Sequence, residues 1–287
     1  MSIPETLSLL PVLSHFQTAP LFEAKKNCLA KAVSSIDCGV TQTEATLLDD
    51  KVLFANDASF SWEILNEINA NKENCFIFES GGAKPIKGYS EKTGRSFSLY
   101  PTESAPAMIT AGFPMHRIKN ILPLQAAKLM IETLLPINGQ VLDTATGLGY
   151  TSIIASKSAS IKTIEFDPVA QEMAHQNPWS QELFNNLNID QLLGDSAEII
   201  CEFDSGSFNC IMHDPPAVNL AGDLYSLDFY KQLHRVLTKN GKVFHYIGDP
   251  QTKSGASTTK GVFRRLYDAG FRKVILKPDA FGVLALK

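Results

Sequence analysis

The chain reads as an α/β protein in which a doubly wound, mostly parallel sheet follows a small α+β domain. Three observations lead there. From Leu122 onward, helical apolar spacing alternates with short apolar runs, the pattern of a parallel sheet covered on both faces. Before Leu122 that alternation is absent, and short strand-like runs are separated by polar turns. The last two runs, over 273–276 and 282–286, are joined tightly through Lys277-Pro278-Asp279-Ala280, which predicts an antiparallel pair and so an antiparallel last strand.

Taken in order, the apolar residues Leu7, Leu10, Leu13 and Phe16, then Leu21, Ala24, Cys28, Leu29, Ala32 and Val33, recur at helical spacing around Pro20. Two helices are expected between 4 and 35. Strands are expected over 45–48, 51–54, 75–78 and 95–100, a helix over 61–68, and turns at Asp49-Asp50, Asn56-Asp57 and Gly81-Gly82. Residues 101–120, rich in Pro, Ser, Thr and Ala, read as a linker or a lid carrying the basic residues His116, Arg117 and Lys119. The domains are thus 1–120 and 121–287. In the second, helices over 124–135, 151–157, 168–175, 196–203, 227–237 and 261–269 alternate with strands over 140–143, 162–165, 190–193, 209–213 and 242–247.

Composition narrows the class of function. The 287 residues are 44% hydrophobic and 20% charged, enough for a sizeable core. No apolar run approaches the roughly 20 residues of a membrane span, and the first residues lack a signal peptide's basic start, so a cytoplasmic protein with no membrane partner is expected. Cys28, Cys38, Cys75, Cys201 and Cys210 form no C-x-x-C pair and read as reduced core residues; no metal site is expected. A net charge of -4 is no signature of nucleic-acid binding.

The chemistry gathers at Val141-Leu142-Asp143-Thr144-Ala145-Thr146-Gly147-Leu148-Gly149-Tyr150, where an apolar run ends in an acid and a small-residue turn before a helical stretch. Gly147 and Gly149 let a ligand approach the main chain at a strand's carboxyl end. The pattern D-x-A-x-G-x-G lacks the third glycine of a dinucleotide site, since Ser152 stands there. It resembles the first motif of class I S-adenosylmethionine-dependent methyltransferases, D-x-G-x-G-x-G, with Ala145 for the first glycine. That resemblance implies a Rossmann-like sheet, S-adenosyl-L-methionine as cofactor, and Asp143, Thr144, Ala145, Thr146, Gly147 and Gly149 around it. Turn amides, a hydroxyl of Thr144 or Thr146, and Arg117 would serve its α-carboxylate. Glu165, ending the next strand about 20 residues after Asp143, stands where an acid meets a ribose in nucleotide-binding sheets. Asp195 and Ser196 follow the third strand; the resemblance places the acid on the adenine amino group, while the sequence alone reads Asp195 equally as a helix N-cap.

His213-Asp214-Pro215-Pro216 follows the apolar run Phe208-Asn209-Cys210-Ile211-Met212 and resembles the [D/N/S]-P-P motif of methyltransferases that act on nitrogen. The acid oxygen and the Pro215 carbonyl both accept hydrogen bonds from an NH2 group, and prolines hold these acceptors rigidly without competing as donors. Asp214, Pro215 and Pro216 are therefore the candidate catalytic residues. The motif's usual next residue is an aromatic that stacks on a flat substrate; here Ala217 stands, with Tyr225, Phe229 or Tyr246 as replacements. A nitrogen acceptor is offered by small molecules, RNA and protein alike.

The stretch 139–246, with Met115-His116-Arg117 upstream and Asn177-Pro178-Trp179-Ser180 within it, is similar to an uncharacterised group of predicted methyltransferases in archaea and cyanobacteria. A second resemblance, at Asp223-Leu224-Tyr225-Ser226-Leu227-Asp228-Phe229-Tyr230, is to spermidine synthases, which share the fold, carry a small N-terminal β-domain and transfer an aminopropyl group from decarboxylated S-adenosylmethionine. Their long glycine-rich first motif is absent here. Loss of the aromatic after Pro216 also leaves open a non-catalytic protein that only binds an adenosyl ligand.

Overall fold

The computed structural model describes residues 10–79, 82–218 and 220–287. Leu7 of the first expected helix and Gly81 of an expected turn lie outside the described residues. The chain divides into two compact units, Met1–Pro123 with Glu172–Gln181, and Leu124–Gln171 with Glu182–Lys287. Among the described residues no helix is long and apolar enough to cross a membrane.

The first unit runs β1 (Val12–Leu13), α1 (His15–Lys26), β2 (Lys31–Ser34), β3 (Thr43–Leu47), β4 (Lys51–Phe54), β5 (Ser59–Ser61), α2 (Trp62–Ala70), β6 (Phe76–Glu79) and β7 (Gly82–Pro85). It continues through β8 (Lys87–Ser90), β9 (Arg95–Tyr100), β10 (Ala107–Thr110) and β11 (Phe113–Pro114). Small antiparallel sheets result, in the orders β2-β3-β4-β5, β1-β6-β7 and β11-β10-β9-β8. Leu13, Leu21, Ala45, Val52, Phe54, Phe60 and Leu65 form its buried centre.

Four expectations are corrected here. Only one helix stands among the described residues of 4–35: α1 starts where Ser14 accepts the Phe16 N–H at 3.2 Å and Gln17 reaches back to the Ser14 N–H at 2.9 Å, and it runs through Pro20. Ala32 and Val33 belong instead to β2, whose pairing with β3 outweighs the local spacing. Residues 101–120 are not a bare linker, because β10 pairs with both β9 and β11. His116 is not a solvated cation either: its Nδ1 accepts the Met108 N–H at 3.3 Å, and burial pushes it down to about 4, so it is neutral. Of the cysteines, Cys38, Cys75 and Cys210 are buried, whereas Cys28 and Cys201 are exposed rather than in the core.

From Pro123 on, the chain forms α3 (Pro123–Glu132), β12 (Gln140–Asp143), α4 (Tyr150–Ala155), β13 (Ser160–Glu165), α5 (Pro168–Gln176), whose second half is counted with the first unit, α6 (Gln181–Asn185), β14 (Ile189–Leu193), α7 (Ser196–Ile199) and β15 (Phe208–His213). Then come α8 (Leu227–Val236), β16 (Leu237–Tyr246), α9 (Lys253–Asp268), β17 (Lys273–Lys277) and β18 (Gly282–Leu286). The sheet order is β14-β13-β12-β15-β16-β18-β17, parallel throughout except for β18, which lies antiparallel to both β16 and β17. This is the expected doubly wound sheet with its antiparallel last strand. Its core joins Leu142, Ile164, Ile211, Val243 and Val283 of the strands to Phe229, Tyr230, Leu233 and Val236 of α8 and to Val262 and Leu266 of α9. The α8 residues recur at the spacing that lines one helical face, so burying that face fixes α8 on the sheet. Strand order reverses between β12 and β15, and the crevice beyond their carboxyl ends is where such sheets bind ligands.

Candidate active site at the carboxyl edge of the sheet

The turn after β12 is built around Asp143. Its Oδ1 accepts the Ala145 N–H at 3.2 Å, and its Oδ2 accepts the hydroxyls of Thr151 at 3.0 Å and Ser152 at 2.7 Å. Asp143 is therefore a buried anchor that folds the turn onto α4. Burial pushes its carboxyl up to about 6, against the pull of those donors. Gly147 (φ 53°) and Gly149 (φ 74°) take the left-handed region that glycine tolerates, and a side chain on Gly149 would meet Leu183 at 2.8 Å. Ala145 is not among the positive-φ residues, which explains why alanine serves where the motif usually has glycine.

The two threonines do something other than expected. Thr144 Oγ1 lies 2.7 Å from His213 Nδ1, and Thr146 Oγ1 lies 2.7 Å from Thr163 Oγ1; both threonines are buried. Their hydroxyls hold the sheet edge together, and within the turn the Gly149 N–H donates to the Thr146 carbonyl at 2.8 Å.

Glu165 reaches across to the same turn. Its Oε2 accepts the Gly147 N–H at 2.8 Å and its Oε1 the Asp167 N–H at 2.9 Å. A carboxylate has about four acceptor positions, and with the Phe166 amide also bonded to this carboxyl about one is left for a ligand hydroxyl. Burial pushes this carboxyl up to about 7, opposed by the Asp167 and Gly147 amides. At the next strand end, Asp195 caps α7 by accepting the Ala197 N–H at 2.8 Å, and Ser196 Oγ donates to the Thr144 carbonyl at 2.7 Å. The N-cap reading of Asp195 therefore describes one of its oxygens, and Ser196 ties its loop to the turn after β12.

Asp214 follows β15. In the parallel pairing Asp143 lies opposite Met212, so the residues after each enter the crevice side by side. Asp214 is half-buried and has no hydrogen bond among the described residues. Burial, and then the nearby Asp143, push its carboxyl up to about 7. Pro215 is buried, Pro216 half-buried and Ala217 exposed. Of the aromatics considered as replacements, Tyr225 and Phe229 are buried against the His213 ring, and Tyr246 is half-buried. Arg117 belongs to the first unit.

The structure thus gathers Asp143, Thr144, Ala145, Thr146, Gly147, Gly149, Glu165, Asp195, Ser196 and Asp214-Pro215-Pro216 along four adjacent strand ends. These groups suit an adenosyl cofactor in a plain chemical sense: a small-residue turn that a ligand can approach, an acid beside it, and at the switch point a carboxyl with no hydrogen bond among the described residues. The sequence reading missed His213, His245 and Tyr230, all buried and hydrogen-bonded behind Asp214. The signal for them was polar residues inside the apolar runs of β15, α8 and β16.

No family model matches the chain. A curated relative does: the uncharacterized protein MJ1233 of Methanocaldococcus jannaschii, 36% identical over 259 residues, covering 88% of each chain. Among solved structures, a spermidine synthase in complex with the transition state analogue AdoDATO superposes with a TM-score of 0.58 at 17% identity, over 70% of this chain and 72% of that one. The spermidine synthase of Thermotoga maritima gives 0.56 at 16% identity, over 74% and 77%. At that identity the likeness is one of fold. The chain belongs to the same family as the Methanocaldococcus protein, and its fold is the Rossmann-like one that it shares with these spermidine synthases.

Proposed function

We propose that the protein is an S-adenosylmethionine-dependent methyltransferase acting on a nitrogen acceptor. The observation that carries this reading is Asp214-Pro215-Pro216 at the carboxyl end of β15, beside the glycine turn of β12, with no hydrogen bond to the Asp214 carboxyl among the described residues. When bound, S-adenosylmethionine supplies an electrophilic methyl group: the acceptor nitrogen bonds to its carbon, the carbon–sulfur pair returns to sulfur, and the nitrogen gives up a proton. Glu165 would accept from a ribose hydroxyl at the acceptor position that its backbone bonds leave open. The glycine turn at Gly147-Leu148-Gly149 lets the donor's tail approach the main chain, and Asp195 would take the adenine amino group on its uncapped oxygen. Asp214 and the Pro215 carbonyl accept from the acceptor's N–H groups, so the nitrogen lone pair is aimed in line. Because burial and Asp143 hold Asp214 near neutrality in its titration, it also suits removal of the acceptor's proton.

A second reading is aminopropyl transfer from decarboxylated S-adenosylmethionine, favoured by the likeness in fold to two spermidine synthases. The two differ in the donor's tail, since only S-adenosylmethionine has an α-carboxylate. A competition titration separates them. Methyl transfer predicts that S-adenosylmethionine binds about tenfold or more tightly than its decarboxylated form, the worth of one charged hydrogen-bonded contact. Tighter binding of the decarboxylated form would promote aminopropyl transfer.

A further inference from the structure

We propose that His213 is a positioning residue, linking Thr144 of the donor turn to the peptide that presents Asp214, so that donor and acceptor sites are held in one register. The inference rests on the reading that Asp214 holds the acceptor. The hydrogen bonds assign the ring's role without ambiguity. His213 Nε2 lies 3.0 Å from the Leu224 carbonyl, which only accepts, so Nε2 carries the proton and Nδ1 is a bare acceptor. Thr144 Oγ1, at 2.7 Å, must then donate to Nδ1. On its other side the carbonyl of His213, part of the peptide bond to Asp214, accepts from His245 Nδ1 at 3.3 Å. His245 Nε2 in turn accepts from the Tyr230 hydroxyl at 2.7 Å, and Arg265 bonds that hydroxyl. The residue before Asp214 is therefore fixed through its ring and through its backbone.

Packing alone does not explain a histidine here. His213 is fully buried among rings, with His245 at 4.3 Å and Phe229 at 5.2 Å between centroids, a place an apolar ring would fill without desolvating two nitrogens. Burial pushes the imidazole down to about 3, so it stays neutral and neither gains nor delivers a proton in the working pH range. What remains is geometry: a link between residues 69 positions apart whose two ends serve different ligands.

Two substitutions separate the ring's bonds. In His213→Asn the amide oxygen falls near the Nδ1 position and keeps the acceptor for Thr144; in His213→Gln the amide nitrogen falls near Nε2 and keeps the donor to Leu224. Each full-length variant is tested for S-adenosylmethionine affinity by calorimetry and for turnover of methyl label into a size-fractionated cell extract. His213→Gln is expected to hold its affinity within about threefold while turnover at saturating donor falls about tenfold to a hundredfold, the cost of a small misplacement. His213→Asn should recover about fivefold or more of that loss. Equal losses in the two variants, or affinity falling as far as turnover, would overturn the proposal. Should either variant fail to fold, 15N imidazole spectra of the wild-type protein decide: the Nε2–H tautomer is expected, with an Nδ1 resonance that moves on adding S-adenosylmethionine. The Nδ1–H tautomer, or a resonance indifferent to the donor, would overturn it. Absence of label in every wild-type fraction would instead count against methyl transfer, and the spectra would still judge the link.

Discussion

At the scale of single residues, the two carboxyls nearest the proposed chemistry should fail differently. Glu165→Gln replaces one charged acceptor with an amide while leaving the other oxygen for a backbone N–H. It is expected to weaken S-adenosylmethionine binding about 10- to 100-fold, or on the order of 1.5–3 kcal/mol, with the fold intact. Calorimetry returning wild-type affinity would remove Glu165 from the donor site. Asp214→Ala should do the reverse, leaving donor affinity within a few fold and abolishing transfer, since its partner is the acceptor; a matching loss of affinity would make Asp214 structural. Asp143, Glu165 and Asp214 were legible because each closes a short apolar run at a motif spacing. The Thr144 to His213 bond was not, because it depends on the parallel register that sets Asp143 opposite Met212. That register also turned the Thr144 hydroxyl from an expected ligand donor into a structural one.

At the scale of elements, the turn between β12 and α4 is held by backbone conformation as much as by Asp143. Gly149→Ala would place a methyl at 2.8 Å from the Leu183 side chain on a backbone with φ 74°. A loss of roughly 2–3 kcal/mol is expected, a Tm several degrees lower, together with weaker donor binding. Unchanged melting would mean that the turn tolerates a side chain and is less constrained than its geometry indicates. The elements of the second unit were readable because helix and strand periods alternate there, and each strand from β12 to β15 ends in an acid or turn signal. In the first unit, short apolar runs fit either period. Ala32 and Val33 fit a helix locally and became strand through pairing with β3; Ala107 to Thr110 became β10 through pairing with β9 and β11.

At the scale of the whole molecule, the ligand-free protein holds carboxyls at one edge of the sheet whose ionisation burial moves to higher pH: Asp214 and Glu165 pushed up to about 7 and Asp143 to about 6. For an acid with a raised folded pKa, the stabilising contribution is present below its unfolded value near 4 and is lost as pH rises through about 7. The buried histidines act oppositely, since His213 and His245, held neutral, cost stability as pH falls below about 6.5. Comparing variant with wild type cancels the groups that both share. Between pH 5 and pH 8, Asp214→Asn should therefore gain on the order of 2–4 kcal/mol relative to wild type, read from urea midpoints at each pH. A pH-independent difference would mean that Asp214 ionises freely in the folded protein.

The identity of the nucleoside product tests the proposed function most directly. The full-length protein, incubated with size-fractionated extract and either S-adenosylmethionine or its decarboxylated form, is followed by chromatography of the adenosyl products. Methyl transfer predicts S-adenosylhomocysteine from S-adenosylmethionine, absent with Asp214→Ala. Methylthioadenosine formed from the decarboxylated donor, with no S-adenosylhomocysteine in any fraction, would contradict it.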